Sequence, residues 1–217
     1  MLSCAKIGFG THIFIKIHMI TPCIFIDVDT QCDFFEPSGA MPIKGAAEIR
    51  PNLKRLTALA LKKKIPIISA VEKHDRTTLK NGPYYCMTGT PGQKKIKETT
   101  VKKSRLVGRK REKVNHANLL KKYQQIVLEK VGFDLFSNEN ALTFLKKTKV
   151  KNCVVYGVAI DYGLEKLVLG LVDAGFKVFI PVDAVKPINE ENREPAMKEL
   201  RSKGAEMWNT DFITSNV

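Results

Sequence analysis

A three-layer α/β fold, with a mainly parallel sheet between two sets of helices, is the fold class this sequence predicts. Three observations predict it. Five short apolar runs have strand length, amphipathic stretches of helical period separate them, and acidic, amide or basic residues stand just past their ends. The 217 residues are 44% hydrophobic and 27% charged, enough for one large core, which excludes disorder, collagen-like repeats and fibrous architecture.

The elements follow in order. Residues 1–18 show weak alternation at Ile13, Ile15 and Ile17 and precede Met19. They read as an N-terminal extension from a mis-assigned start, or as an edge strand, and leave 19–217 as a single domain. Residues 22–29, PCIFIDVD, start behind a proline and end in acidic residues, as a parallel strand buried on both faces does. Pro37, Gly39, Pro42 and Gly45 punctuate the loop that follows. Residues 46–64 carry apolar side chains at helical spacing and lysines at the C-terminal end, where the helix dipole favours them, with Pro51 expected in the first turn. Further buried strands are expected at 65–71, 124–130, 152–160 and 176–185, and helices at 138–147, 161–175 and 190–204.

No run of eighteen apolar residues occurs, and Lys6, His12 and Lys16 interrupt the N-terminal segment before a signal-peptide core can form. The expectation is a cytoplasmic protein with no membrane partner. The five cysteines (Cys4, Cys23, Cys32, Cys86 and Cys153) are an odd, scattered set without zinc-type spacing, so reduced thiols are expected.

The formal net charge is +14, and the stretch bounded by Lys94 and Lys113 holds ten Lys and Arg against only Glu98 and Glu112. Such a run can neutralise phosphates, which makes nucleic acid an alternative partner. It contains no Phe, Tyr or Trp to stack on bases, so a solvated basic loop or helix face is the expected structure.

In a parallel sheet the ligand crevice forms at the carboxyl ends of the strands, where strand order reverses. The residues there are Asp27, Asp29, Gln31 and Asp33 after the first strand, and Glu72 and His74 after the second. Glu129 and Lys130 follow from the third, and Asp161, Tyr162 and Gly163 from the fourth. Carboxylate, imidazole and ammonium groups converge on one rim.

These segments, in this order, resemble the isochorismatase-like cysteine hydrolases, especially their nicotinamidase branch. Asp29-Thr30-Gln31-Cys32-Asp33-Phe34 is similar to the family's Asp-x-Gln-x-Asp-Phe segment and puts Asp29, not Asp27, in the place of the general base. Lys130 with Phe133-Asp134-Leu135-Phe136 resembles the catalytic-lysine segment, Gly89-Thr90-Pro91-Gly92 the Gly-Thr-x-Gly turn, and residues 155–162, VYGVAIDY, the nucleophile motif. The resemblance implies a Rossmann-like fold with a six-stranded sheet, a homo-oligomer, and a small-molecule ligand of amide or pyridine type such as nicotinamide. It also implies binding roles for Gln31, Phe34, His74, Tyr85 and Tyr162, a non-proline cis peptide between Val158 and Ala159, and an oxyanion notch from the Ala159 and Gly163 N–H groups.

The same resemblance exposes a departure. Gly163 stands where the family has its nucleophilic cysteine. A thiolate there attacks the substrate carbon, Asp29 exchanges its proton and Lys130 favours the charged sulfur. Losing a hydrolase nucleophile costs up to ~10⁶ in rate, or about 8 kcal/mol of barrier, so weak or absent cysteine-hydrolase activity is expected. The alternatives are a non-catalytic small-molecule-binding pseudoenzyme and an oligomer subunit. Cys153 lies at the far end of its strand, and Cys32 and Cys86 do not follow the strand-to-helix elbow that aims a nucleophile. The family's divalent-metal position is occupied by Glu72, Lys73, His74 and Tyr85, so no tight metal and no cofactor are expected.

Overall fold

The computed structural model describes residues 20–79 and 82–217; the expectations for residues 1–18 lie outside them. In chain order the elements are β1 (Cys23–Val28), α1 (Cys32–Phe35), α2 (Ala46–Lys63), β2 (Ile67–Glu72), β3 (Ser104–Val107), α3 (His116–Lys122), β4 (Gln125–Lys130) and α4 (Ala141–Lys147). They continue with β5 (Asn152–Val158), α5 (Gly163–Asp173), β6 (Lys177–Pro181), β7 (Val185–Lys186), α6 (Arg193–Ser202), β8 (Glu206–Trp208) and α7 (Thr210–Asn216). The sheet runs β3-β4-β2-β1-β5-β6-β8, with β7 beside β5, and every pair is parallel. This is the mainly parallel, Rossmann-like α/β architecture the sequence predicts.

The central strands form where the apolar runs lie. All six residues of β1, β2 and β4 are buried, because helices cover both faces and leave no solvent side to alternate toward. One helical set joins α2 to α1 and α7; the other joins α3 to α4 and α5 to α6. Phe25, Phe144, Phe179, Leu53 and Leu56 are among the largest fully buried side chains. Each contributes about 1.5–3 kcal/mol by leaving water. Gly157, at φ 118°, lets β5 approach β1: a Cβ there would stand 2.2 Å from the Val28 carbonyl oxygen.

Three expectations change. Among the described residues the sheet has eight strands rather than six, because β3, β7 and β8 are only two to four residues long and carry no apolar run. Pro51 sits beyond the first turn of α2, since the helix starts at Ala46 after Gly45 turns the chain at φ 76°. The basic stretch is neither a plain loop nor a helix face: it contains β3, one of the sheet's edge strands, where Arg105 and its charged neighbours discourage pairing with a further strand.

Strand order reverses at β1, with β2 on one side and β5 on the other. The carboxyl ends of these two strands therefore frame a topological switch point.

Candidate functional site

Four adjacent strands, β4, β2, β1 and β5, deliver the rim residues. Lys130 ends β4 and Glu72 ends β2, and the two are register partners. Asp29 follows β1, with its backbone amide bonded to the Ala70 carbonyl (2.9 Å) and φ at 49°. That left-handed turn is one that aspartate tolerates better than most residues, and it directs the chain off the sheet into the rim. Beyond β5, the Val158–Ala159 peptide is cis and Gly163 opens α5.

At the centre, Lys130 Nζ lies 2.8 Å from Asp29 Oδ2 and 3.2 Å from Glu72 Oε1, and donates to the Gly132 carbonyl at 2.8 Å. All three ionic side chains are buried. Burial raises Asp29's pKa to about 7, against the pull of Lys130 and with help from Glu72 and Asp27. For Lys130, burial favours the neutral amine, but the two carboxylates outweigh it and hold the pKa above the ordinary lysine value. Burial also opposes Glu72's charge, yet His74 and Lys130 together keep its pKa below normal. The cluster thus holds one firm cation and a carboxyl, Asp29, that exchanges its proton near neutrality. Asp29 Oδ1 has no hydrogen-bond partner among the described residues.

A cleft of about 310 Å³, counted out to its open mouth, lies over this cluster. Asp29, Glu72 and Gly163 form its polar floor; Phe34, Tyr85, Phe133 and Tyr162 supply aromatic walls, and Met41, Ile43, Val158, Ala159 and Ile188 complete it. Phe133 and Tyr162 pair at 5.1 Å between ring centres and remain 42% and 36% exposed, which puts them at the mouth. A Cβ at Gly163 would stand 3.3 Å from Asp29 Oδ2 and 3.4 Å from the Phe133 carbonyl oxygen, so a side chain there would point at the carboxylate.

Other residues of the rim hold the site rather than line it. The Gln31 amide donates to the Glu72 and Gln93 carbonyls (2.8 Å each) and accepts from the Glu72 N–H (2.7 Å), fixing the end of β2. Buried His74 bonds Glu72 through Nε2 and meets the edge of the Tyr85 ring at 4.8 Å. Asp33 accepts from the N–H groups of Ala40 (2.9 Å) and Cys86 (2.6 Å). Asp161 accepts from Ile188 (2.8 Å) and Asn189 (3.1 Å) and so sets Ile188 against the cleft. Glu129 turns away to Lys73 at 2.9 Å. Cys32 and Cys86 do not line the cleft, and burial pushes the Cys86 thiol far above its ordinary pKa.

Asp27 belongs to a second buried pair beneath the first. It bonds Lys95 and accepts from Ser69 (2.5 Å) and Thr30 (2.9 Å), while Lys95 also reaches Thr30 at 3.0 Å. Sequence reading missed this pair and the apolar walls from Met41, Ile43 and Ile188. An aspartate inside an otherwise apolar strand was the one available signal.

The residues at the expected metal position fit a divalent ion poorly. Glu72 is engaged at one oxygen by His74 and at the other by the Lys130 ammonium, whose charge opposes a second cation nearby. The Tyr85 phenol is held protonated, its pKa raised first by burial and then by Glu72. Among the described residues no group of three or more His, Cys, Asp or Glu side chains is arranged to hold a metal. No described helix is long and apolar enough to cross a membrane.

The fold is shared with known proteins. The Isochorismatase domain family matches residues 23–212. No curated protein sequence matches the chain at a significant level. Among solved structures, the chain is similar to the pyrazinamidase of Pyrococcus horikoshii in complex with zinc, with 23% identity, a TM-score of 0.71 and coverage of 86% of this chain and 98% of that one. The nicotinamidase/pyrazinamidase of Bacillus subtilis gives 19% identity, a TM-score of 0.71, and 86% and 99% coverage. The N-carbamoylsarcosine amidase of Thermoplasma acidophilum gives 16%, 0.69, and 87% and 96%. At these identities the likeness is one of fold.

Proposed function

Since the chain belongs to the isochorismatase family, we propose that its cleft takes a small amide or pyridine-type ligand such as nicotinamide, and that the protein is weak or inactive as a cysteine hydrolase. One observation carries this reading: the buried Asp29–Lys130 pair, 2.8 Å apart, stands beside an elbow whose first helical residue is glycine. The pair supports proton exchange and charge stabilisation, the aromatic walls suit a planar ring, and Ala159 and Gly163, to whose N–H groups we assign an oxyanion notch, line the same cleft. The missing element is an attacking atom. A thiol on residue 163 would approach Asp29 directly, given the 3.3 Å from the Cβ position to Oδ2. The same cleft without turnover would make a ligand-binding protein, and the reading requires no metal.

The test is ammonia release from nicotinamide by the natural chain and by Gly163→Cys, with nicotinamide affinity measured by calorimetry on both. Binding by both proteins is expected, with release near background for the natural chain and a gain of several orders of magnitude in the variant. Equal ammonia release by the two proteins would remove Gly163 from the explanation. Failure of both to bind nicotinamide would remove the ligand class.

A further inference from the structure

We propose that the cleft selects for positive charge, and that the ligand it takes best is a pyridinium cation, the N-alkylated form of a pyridine carboxamide, rather than the neutral ring. The inference rests on the pyridine-type reading of the cleft given above and adds the charge that reading leaves open.

Asp29 and Glu72 are the charged side chains of the cleft wall, and among the described residues no Lys, Arg or His lines it. Lys130 is fully buried and stands outside the lining. Two carboxylates thus face one ammonium, so the cluster is one charge negative once Asp29 ionises. Beneath it, Asp27 and Lys95 cancel each other. Asp29 Oδ1 is buried in this wall without a hydrogen-bond partner, an acceptor that a ligand carboxamide N–H can satisfy. The rest of the wall favours the same charge. Phe34 and Tyr85 pair at 5.6 Å between ring centres and Phe133 and Tyr162 at 5.1 Å, so two aromatic pairs border the two carboxylates. A neutral ring gains from stacking on such walls; a cationic ring gains also from the negative ring faces and from the nearby carboxylates, in a site where burial lowers the dielectric.

The excess of cations in the whole chain does not reverse this. Exposed Lys62 and Lys63 end α2 and exposed Lys146 and Lys147 end α4, at the amino ends of the strands. A six-residue strand puts them roughly 20 Å from the cleft, well beyond the screening length of about 8 Å at physiological salt. A ring cation also differs from a divalent metal: its single charge is spread over the ring, and it needs no free coordination place on Glu72. The selection follows the ionisation of Asp29, whose pKa burial raises to about 7. The groups facing it are Lys130 from β4, Glu72 from β2 with His74 beyond, and Asp27 with Lys95 beneath. Tyr85 and Cys86 stay protonated, their pKa values raised first by burial. Preference for the cation is therefore weak below about pH 7 and full above it.

The experiment is calorimetry on the full chain with 1-methylnicotinamide, a cation, and 3-methylbenzamide, its neutral counterpart of the same shape, beside nicotinamide and nicotinate. Each is titrated at about pH 6 and about pH 8, on the natural chain and on Asp29→Asn. At the higher pH the natural chain is expected to bind the cation about tenfold tighter than its neutral counterpart, or more, and nicotinate most weakly. The ratio should narrow at the lower pH and fall to near one in Asp29→Asn. Equal affinity for cation and counterpart in the natural chain at the higher pH overturns the inference, as does a preference that Asp29→Asn keeps unchanged. Binding of nicotinamide with exclusion of both methylated ligands overturns it too. The two-ligand comparison on the natural chain stands even where Asp29→Asn fails to fold. A natural chain that binds none of the ligands instead fails the pyridine-type reading beneath it.

Discussion

Asp29 combines full burial, a left-handed backbone and a carboxyl oxygen without a partner, and its ionisation links the site to stability. Its folded pKa, about 7, lies above its ordinary value of 3.8, so between those limits the folded chain binds more protons than the unfolded one. The contribution is fully present below about pH 4 and is lost as pH rises through about 7. Urea unfolding of the natural chain and Asp29→Asn across pH 4–8 is expected to show the Asn variant gaining relative stability up to about pH 7 and levelling above it. A relative loss over the same interval would contradict the assignment. Lys130, with its pKa raised from 10.5, titrates above that window, whereas Glu72, with its pKa lowered from 4.5, adds stability that is lost only as pH falls through the acid end of it. Asp29 and Lys130 were legible as a pair because each ends or follows a strand within a recognisable motif. The oxygen left without a partner was not, because it depends on every neighbour at once.

The turn around Gly92 shows how a short element secures a distant loop. A Cβ on Gly92 would fall 2.0 Å from Asp33 Oδ1, the carboxylate that clamps the Ala40 and Cys86 amides. Gly92→Ala must displace that carboxylate, at a cost of about 1–3 kcal/mol, which lowers the melting temperature by about 2–12 °C. Faster hydrogen exchange at the Cys86 amide is expected with it, whereas an unchanged melting temperature and exchange rate would separate Gly92 from the clamp. The sequence displayed the turn motif but not its reason, since Asp33 and Gly92 meet only after folding. The same holds for elements generally. The long strands were readable because burial on both faces demands unbroken apolar runs. β3, β7 and β8 were not, because pairing at a sheet margin needs only backbone and leaves composition free.

At the scale of the whole molecule, the excess of cations in the stretch bounded by Lys94 and Lys113 is less available than its composition suggests. Within the basic stretch Lys95 is buried against Asp27, Arg105 pairs with Glu112 at 3.2 Å and Lys110 with Glu139 at 3.4 Å. Heparin retention measured against salt is expected to show elution at modest ionic strength without a steep dependence; a slope corresponding to many released counterions would restore the nucleic-acid alternative. Composition revealed the excess, but contacts across dozens of residues decide how much of it faces solvent. A different kind of consequence follows from building the site on four neighbouring strand ends. Lys130 and Glu72 are carried by the central hydrogen-bonded ladder, so the rim cannot fray independently of the interior. Ligand recognition and the cooperative integrity of the sheet's middle therefore rise and vanish together, and the cleft inherits the lifetime of the most slowly opening part of the protein.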